Sequence, residues 1–301
     1  MKKERFYKTY PLLGLLPYIL LFIIPVFSTL AQSFLTAPLS KGGAFTFENI
    51  KEVFTNTYYL KIMSFTLYQA FLSTLIAVLI GLPGAYIMTT YDFPGKKILK
   101  ALYNVPFVLP SILVVLGFVI FFGNNGFLNK ALMAVFHLEE PPLKVLYSFK
   151  AVIMAHAFYN FPVTISIVSE YWKKLDNRCE MAAVTLGSSR REVFRKITLP
   201  RLLPAILSSA SLIFLFCFTS FAIILVLGGG PSLTTTEVEI YRLAKTSLDT
   251  QKAAALSLYS LFVAVIVLLL YSFFQRKEKA IEAMGVSRAK ITRKTTTVLQ
   301  V

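Results

Sequence analysis

The chain has 301 residues, of which 56% are hydrophobic and only 15% charged, and its mean hydropathy is +0.66. A soluble domain is about 45–50% apolar and about 25% charged, so one soluble core of this size cannot bury so much apolar surface. The net charge is +16, but the basic residues lie between apolar blocks, which argues against a nucleic-acid-binding protein. Cys179 and Cys217 form no CxxC pair, so neither a disulfide framework nor a metal site is expected.

Apolar blocks follow one another along the chain, each close to the roughly 20 residues that a helix needs to cross a bilayer. They cover residues 10–33, 59–90, 101–122, 146–169, 203–227 and 254–274. Because an unpaired backbone amide is costly in lipid, each block is predicted to be a transmembrane helix. The first block is too long for the core of a signal peptide and is predicted to stay in the bilayer. The sequence therefore predicts an all-α membrane protein with about six transmembrane helices.

The distribution of basic residues predicts the orientation of these helices. Of the 31 Lys and Arg residues, 22 lie in the N-terminal tail, in the segments after the second and fourth blocks, and in the C-terminal tail. Six spans place these four segments on the same side, and the positive-inside rule makes that side the cytoplasm. Both termini are therefore predicted to be cytoplasmic. Residues 1–280 are expected to form one transmembrane domain, and residues 281–301 a basic cytoplasmic tail.

The long cytoplasmic segment, residues 171–204, has a helical pattern of its own. Asp176 or Asn177 can cap a short helix, and Gly187 is predicted to end it. A second, basic helix begins near Arg190 and is predicted to end at Leu199–Pro200, where the chain returns to the membrane. The residues alone leave two interpretations open for the first helix. It lies either in a shallow groove of a partner protein or on the lipid headgroups.

The spacing in this segment resembles the EAA loop of ABC importer permeases. In that family EAA is followed by three residues, Gly, nine residues, Ile, any residue and Leu-Pro. The matching positions are Ala182, Ala183, Gly187, Ile197, Leu199 and Pro200. Met181 stands where the family usually has Glu, and Glu180 is adjacent. The resemblance implies a type I importer-like permease of the bacterial inner membrane, whose coupling helix, including Glu180 and Met181, sits in a cleft of the nucleotide-binding subunit.

Two further stretches resemble the thiamine and iron(III) permeases of this family. They are Leu109-Pro110 with residues 116–129, and residues 220–244. The resemblance implies thiamine or a thiamine phosphate as solute, with iron(III) as the alternative. It also implies partners: ABC ATPase subunits that hold ATP and Mg, a second permease half that is identical or homologous, and a periplasmic or lipid-anchored solute-binding protein. Besides membrane lipid, the chain itself is expected to bind no cofactor and no nucleic acid.

Polar and glycine residues inside the blocks are candidates for the solute pathway. His156 and Asn160 lie one turn apart in the fourth block, and an intramembrane ionisable residue is a functional candidate. The alternative is a neutral histidine that hydrogen-bonds to a neighbouring helix. A glycine-proline run ends the fifth block, and the resemblance suggests a periplasmic gate or docking loop for it. The run consists of Gly228, Gly229, Gly230 and Pro231.

Two other classes of membrane protein compete with this interpretation. Several acidic residues within the spans would favour an ion-driven secondary transporter, and none lies at a span centre. A membrane-embedded enzyme would need a cluster such as HExxH or paired aspartates, and the sequence contains neither. The chain also contains no GxxxxGK[ST] phosphate loop, so ATP hydrolysis is expected on another chain. No catalytic residue and no metal site are therefore predicted.

Overall fold

The structure is a computed structural model that describes residues 15–38, 41–284 and 293–294. The first residues of the first predicted block, and most of the predicted tail 281–301, lie outside the described residues. In chain order the helices are α1 (Ile24–Ala31), α2 (Glu48–Thr55), α3 (Thr57–Thr90), α4 (Lys96–Val108), α5 (Ser111–Phe122), α6 (Phe127–Phe136), α7 (Phe149–Lys174), α8 (Arg178–Thr185), α9 (Arg190–Val193), α10 (Leu199–Phe218), α11 (Ala222–Leu227), α12 (Thr236–Lys245) and α13 (Thr250–Met284). Two-residue strands, β1 (Tyr91–Asp92) and β2 (Arg293–Lys294), pair in parallel.

Six helical stretches within the described residues are long and apolar enough to cross a membrane. They are Leu15–Phe34, Thr57–Thr90, Ser111–Phe136, Phe149–Lys174, Arg190–Phe218 and Thr250–Ala280. Single π-helical or 3-10 turns join the helices at Ile19–Ile23, Gln32–Phe34 and Phe194–Thr198. The predicted all-α membrane protein with six spans is confirmed, although the ends of the third and fifth spans lie 9 to 14 residues from the predicted ones.

The described residues form two compact units. The small unit contains the described residues up to Ser64 together with residues 235–263. The large unit contains residues 65–234 and the described residues from Ala264 onward. Helices α3 and α13 contribute residues to both units.

An ion pair between a buried carboxylate and a half-exposed guanidinium stabilises the small unit. The Glu239 side chain is fully buried, and the Arg242 guanidinium donates to both of its carboxylate oxygens. The Tyr58 hydroxyl donates a third hydrogen bond to Glu239 over 3.1 Å. The hydrogen bond to Glu239 raises the pKa of Arg242 above its usual value. Because a buried carboxylate is stable only when it is paired and hydrogen-bonded, this pair makes the fold of α12 depend on Arg242.

Replacing Arg242 with methionine is therefore expected to destabilise the small unit by about 1–3 kcal/mol, because the buried carboxylate of Glu239 loses its cation, while the half-exposed guanidinium is partly screened by water. The thermal unfolding midpoint of the purified chain in detergent measures this loss. Lys245→Met is the matched control, since Lys245 is an exposed cation on the same helix. Equal midpoints for the two variants would show that the ion pair contributes nothing to stability.

Helix α7 lies at the centre of the large unit, where it packs against α4, α5, α10 and α11. Its contact with α3 depends on two glycines. A Cβ atom at Gly81 would lie 2.5 Å from the Cβ of Thr164, and one at Gly84 would lie 2.5 Å from the Cδ1 of Ile165. Small residues at this contact let two backbones approach closely, which is a common way of packing helices in membranes.

Two predicted blocks are interrupted in the structure. Residues 101–122 were expected to form one helix, but α4 ends at Val108 and α5 begins at Ser111, with Leu109 in an extended conformation. The reason is Pro110, since the residue before a proline is disfavoured in the helical region. Residues 203–227 were also expected to be continuous, but α10 ends at Phe218 and α11 begins at Ala222. Thr219 and Ser220 lie in this second interruption.

Candidate functional site

The cytoplasmic segment between α7 and α10 is anchored at its base by a packed apolar cluster. Trp172 and Leu175 at the end of α7 pack with Leu202 and Ala205 of α10, and all four are at most 5% exposed. Beside this cluster, the Arg201 guanidinium donates a 2.7 Å hydrogen bond to the carbonyl oxygen of Asp176. The apolar cluster and this hydrogen bond therefore join the end of α7 to the start of α10, where the segment leaves the membrane spans.

Helix α8 is fastened a second time near its beginning. The Thr198 hydroxyl donates a 2.8 Å hydrogen bond to Oε1 of Glu180, across 18 residues of sequence. Thr198 is buried and Glu180 half-buried, so water competes little for this bond. The acidic residue thus turns inward to the returning helix, whereas Met181, at the neighbouring position, is exposed. As a result, α8 cannot move independently of the start of α10.

Gly187 ends α8 in a turn that requires a left-handed residue. Its φ is +88°, and its amide donates to the carbonyl of Val184 over 3.0 Å. The next amide, of Ser188, donates to the carbonyl of Ala183, also over 3.0 Å. This pair of bonds is a Schellman motif with glycine at the residue after the cap. Ser189 then caps α9 by accepting a hydrogen bond from the amide of Glu192.

Gly187→Ala is expected to weaken this turn by about 1 kcal/mol, because an L-residue is strained at positive φ. A Cβ atom here would meet no atom within 4 Å, so the effect is conformational rather than a clash. Gly187→Asn is the control, because asparagine tolerates the left-handed region. Hydrogen exchange of the Gly187 region should be faster in the alanine variant than in the asparagine variant. Identical exchange would mean that the turn does not depend on glycine.

Helix α8 has no buried residue and carries a set of exposed apolar side chains, here called the α8 surface. It consists of Met181, Val184 and Leu186, which are 61%, 50% and 85% exposed. Helix α8 lies between the spans Phe149–Lys174 and Arg190–Phe218, on the predicted cytoplasmic side. Ala182 and Ala183 lie beside these side chains and leave room for close approach of another backbone. Large apolar side chains exposed on and directly after one short helix outside lipid are a candidate protein–protein contact.

The second helix of the segment differs from its prediction. Leu199–Pro200 was expected to end it, but helical structure continues from Arg190 through Pro200 to Phe218. The π turn Phe194–Thr198 explains this, because the Leu199 amide bonds to the carbonyl of Phe194, five residues back. Such a wide turn accommodates a proline, which has no amide to donate. Ile197 is half-buried in this turn, and Pro200 is exposed.

A polar cavity of about 380 Å³ lies in the large unit. Both helix interruptions border it, since Ser111 lies at the first and residues 219–221 form the second. Polar and aromatic residues of α7 and α10 complete the lining, namely His156, Tyr159, Asn160 and Phe216. The Tyr159 hydroxyl also donates to the carbonyl of Leu109, over 3.2 Å. Interrupted backbone is tolerated at membrane depth only where it is buried or lines a cavity, so the two interruptions and the cavity belong together.

His156 and Asn160 are both about 1% exposed and are only partly hydrogen-bonded. His156 Nδ1 lies 3.0 Å from the Ser73 hydroxyl of α3, so the histidine does bond to a neighbouring helix. Asn160 Nδ2 donates to the carbonyl of His156 over 2.9 Å and lies 3.5 Å from Cys217 Sγ. His156 Nε2 and Asn160 Oδ1 have no hydrogen-bond partner among the described residues. Two side chains that line the cavity therefore each have one polar atom available for a further hydrogen bond.

The glycine-proline run forms a tight loop after α11. Gly228 caps the helix, while Gly229 and Gly230 have φ of +74° and +129°. A Cβ atom at Gly229 would lie 2.6 Å from the Cβ of Tyr147, just before α7. Pro231 then begins a 3-10 turn. The run therefore packs on the segment that precedes α7, and it is separate from the lining of the cavity.

A comparison with protein families identifies the chain. A model of the binding-protein-dependent transport system inner membrane component matches residues 73–283, which is well over half of the sequence. The chain belongs to this family. Its permease relatives include the thiamine transport system permease protein ThiP of Brucella abortus, 30% identical over 244 residues, 81% of this chain and 44% of the relative. The chain therefore spans less than half the length of that relative.

A second relative transports a different solute. The sulfate transport system permease protein CysT of Salmonella typhimurium is 31% identical over 221 residues, 73% of this chain and 77% of the relative. Among solved structures, a bacterial ABC transporter that imports the acidic polysaccharide alginate matches with a TM-score of 0.70. It is 18% identical, and the match covers 93% of this chain and 97% of that one. The likeness confirms the type I importer permease fold, and the family confirms a multi-pass protein of the inner membrane.

The predicted site residues of the permease fall into separate places. Glu180 to Pro200 lie in the cytoplasmic segment, His156 and Asn160 border the cavity, and the glycine-proline run forms its own loop. Sequence reasoning missed the other residues that line the cavity: Ser111, Tyr159, Phe216, Thr219, Ser220, Phe221, Ala222 and Ile223. The polar pair at 219–220, inside a long apolar block, was a visible signal for the second interruption.

Proposed function

We propose that this permease forms one half of the solute pathway of an ABC importer and that ATPase subunits on separate chains drive it. The observation that carries this proposal is the α8 surface, three exposed apolar side chains at a helix that is attached to the spans by two hydrogen bonds at its beginning. A docked partner that moves would pull on Asp176 and Thr198, and through them on α7 and α10. Rigid-body movements of this kind are a common way to switch between two states.

The proposed partners follow from the family. They include a second permease half, identical or homologous, that encloses the pathway together with these six spans. A solute-binding protein on the outer side delivers the solute, as the family name states for its members. In this proposal ATP-driven dimerisation of the ATPases turns the two halves outward. Only a difference in contact between the two states drives that change.

Thiamine is the proposed solute, because relatives that are named thiamine transport system permeases align with most of the chain. Sulfate is the second candidate, because the sulfate permease aligns over most of its own length as well. Iron(III), which the sequence resemblance suggested, is the third. These solutes differ in charge and in chemistry, so one experiment that measures their uptake side by side distinguishes them.

The test is reconstitution of the permease with its co-purifying partners in vesicles that enclose ATP, with uptake of thiamine, sulfate and iron(III) measured in parallel. ATP-dependent uptake of thiamine alone would support both parts of the proposal. Uptake of sulfate or iron(III) instead would keep the importer assignment and overturn the solute. No co-purifying ATPase and no ATP-dependent uptake of any solute would overturn the importer itself and favour an ion-driven transporter.

A further inference from the structure

We infer that the polar cavity of the large unit recognises the solute during transport, and that it selects a flat aromatic solute with an N–H donor and no negative charge. The inference rests on the proposed function and adds to it a place in the permease where one class of solute binds. Four features of the cavity support it: its position at two helix interruptions, its unused bonding capacity, its neutral aromatic lining and its size.

The two interruptions show that the cavity is not a packing defect. The backbone at Leu109 and at residues 219–221 leaves the helical conformation where a bilayer would favour continuous helix. Tyr159 stabilises the first interruption through its hydroxyl, and its side chain also lines the cavity. Interrupted helices of this kind build solute sites in other membrane transporters, because the freed backbone can face a polar molecule.

The unused bonding capacity points to a donor on the solute. Both hydrogen bonds of the Asn160 amide group use Nδ2, which fixes the orientation of the side chain and leaves Oδ1 as a free acceptor. Leaving such a buried acceptor unsatisfied costs about 1–3 kcal/mol, which a solute N–H would recover. His156 Nε2 is the second unused atom, and Nδ1 of the same ring lies 3.0 Å from the Ser73 hydroxyl.

The lining fixes the charge of the solute. Its side chains are neutral hydroxyl, amide, imidazole, aliphatic and aromatic groups, and the aromatic ones are Tyr159, Phe216 and Phe221. Aromatic faces attract cations, and the attraction grows when water is displaced. An anion such as sulfate would enter a low-dielectric site built without a cation, which is costly. Iron(III) would prefer carboxylate oxygens as ligands, whereas the lining offers hydroxyl, amide and imidazole groups.

The size of the cavity fits a small ligand. Its volume of about 380 Å³ lies at the lower end of the range of about 300–1,000 Å³ for small-molecule sites. Thiamine meets each requirement, since it combines an aminopyrimidine, whose exocyclic amine donates hydrogen bonds, with a cationic thiazolium ring. We therefore assign the aminopyrimidine to Asn160 Oδ1 and the thiazolium to the aromatic side chains.

The experiment compares thiamine with oxythiamine, in which a carbonyl acceptor replaces the exocyclic amine, in the complete reconstituted importer. The variant Asn160→Leu removes the acceptor and should reduce the KM preference for thiamine over oxythiamine by about tenfold, which corresponds to one hydrogen bond to a buried group. The binding protein is the same in every sample, so its own preference cancels in the comparison. A purely structural role of Asn160 would change the KM of both solutes equally.

The matched control is Asn104→Leu, because Asn104 also bonds to its own helix, through the Lys100 carbonyl, but lies outside the lining of the cavity. Its thiamine preference should equal that of the wild type. If thiamine is transported and Asn160→Leu keeps the full preference, the inference fails and the proposed function stands. If the wild type transports sulfate or iron(III) and no thiamine, the inference fails while the importer assignment stands.

A second variant covers the case in which Asn160→Leu does not assemble. Phe221→Leu removes one aromatic face from a residue outside helical structure. It should lower severalfold the preference for thiamine over a neutral analogue in which thiophene replaces the thiazolium ring. An unchanged preference in this variant would overturn the assignment of the cationic ring to the aromatic side chains.

Discussion

Replacing Met181 and Leu186 together with aspartate is expected to separate the permease from its ATPase subunits and to abolish ATP-driven uptake. These two side chains are the most exposed members of the α8 surface, and they project from a helix with no buried residue. Their contact with a partner would be apolar, so a carboxylate at each position would be buried without a cation. A few central apolar residues usually carry most of the energy of an interface, so a loss of affinity above 100-fold, or about 3 kcal/mol, is expected.

Co-purification of the ATPase with the tagged permease measures this effect directly. The matched control is Leu248→Asp, since Leu248 is 75% exposed and lies between α12 and α13, on the predicted outer side. This control should retain the ATPase, and both variants should keep the thermal stability of the wild type, because no buried contact is changed. Full retention of the ATPase by the double variant would show that α8 is not the docking helix.

A second large effect is expected for Gly81→Val in the contact between α3 and α7. The new Cβ atom would lie 2.5 Å from the Cβ of Thr164 and 3.0 Å from the carbonyl oxygen of Phe161. Neither atom can move without moving α7, which packs against four other helices. Overpacking of this kind costs about 1–3 kcal/mol and sometimes more, so the unfolding midpoint should fall by about 5 °C or more.

Gly117→Val is the control for this substitution. Gly117 lies in a transmembrane helix as well, is exposed, and would place its Cβ atom with nothing within 4 Å. The control variant should unfold at the wild-type temperature, because its new side chain faces lipid. If the two valine variants unfold together, the close approach at Gly81 does not contribute to stability. Fluorescence size-exclusion profiles at increasing temperature provide both midpoints from small amounts of detergent-solubilised protein.

The spans and the family could be predicted from the sequence because both are encoded locally. Lipid imposes one length and one backbone structure on each block, so apolar runs map directly onto helices. The turn at Gly187 was equally local, because only a left-handed residue ends α8 in the observed way. The spacing from Ala182 to Pro200 indicated the permease family, which the match over residues 73–283 now confirms.

The cavity and the attachment of α8 could not be predicted, because they depend on pairs that are distant in sequence. Ser73 meets His156 across 83 residues, and Glu180 meets Thr198 across 18 residues. Hydrophobic periodicity carries no information on such pairs. The continuation of the helix through Pro200 was missed for a different reason. A π turn cannot be distinguished from a helix end by composition, since both are compatible with a proline.

The two cysteines of the chain have opposite environments, as Cys179 is exposed on α8 and Cys217 is fully buried in α10. Thiol reagents require access to the sulfur, so a maleimide dye should modify the native chain at a single position. That position is two residues from Met181, on the helix proposed to contact the ATPase. The natural sequence thus already contains a reporter site, and the emission of a dye at Cys179 would follow association and release of the ATPase during turnover without any engineered cysteine.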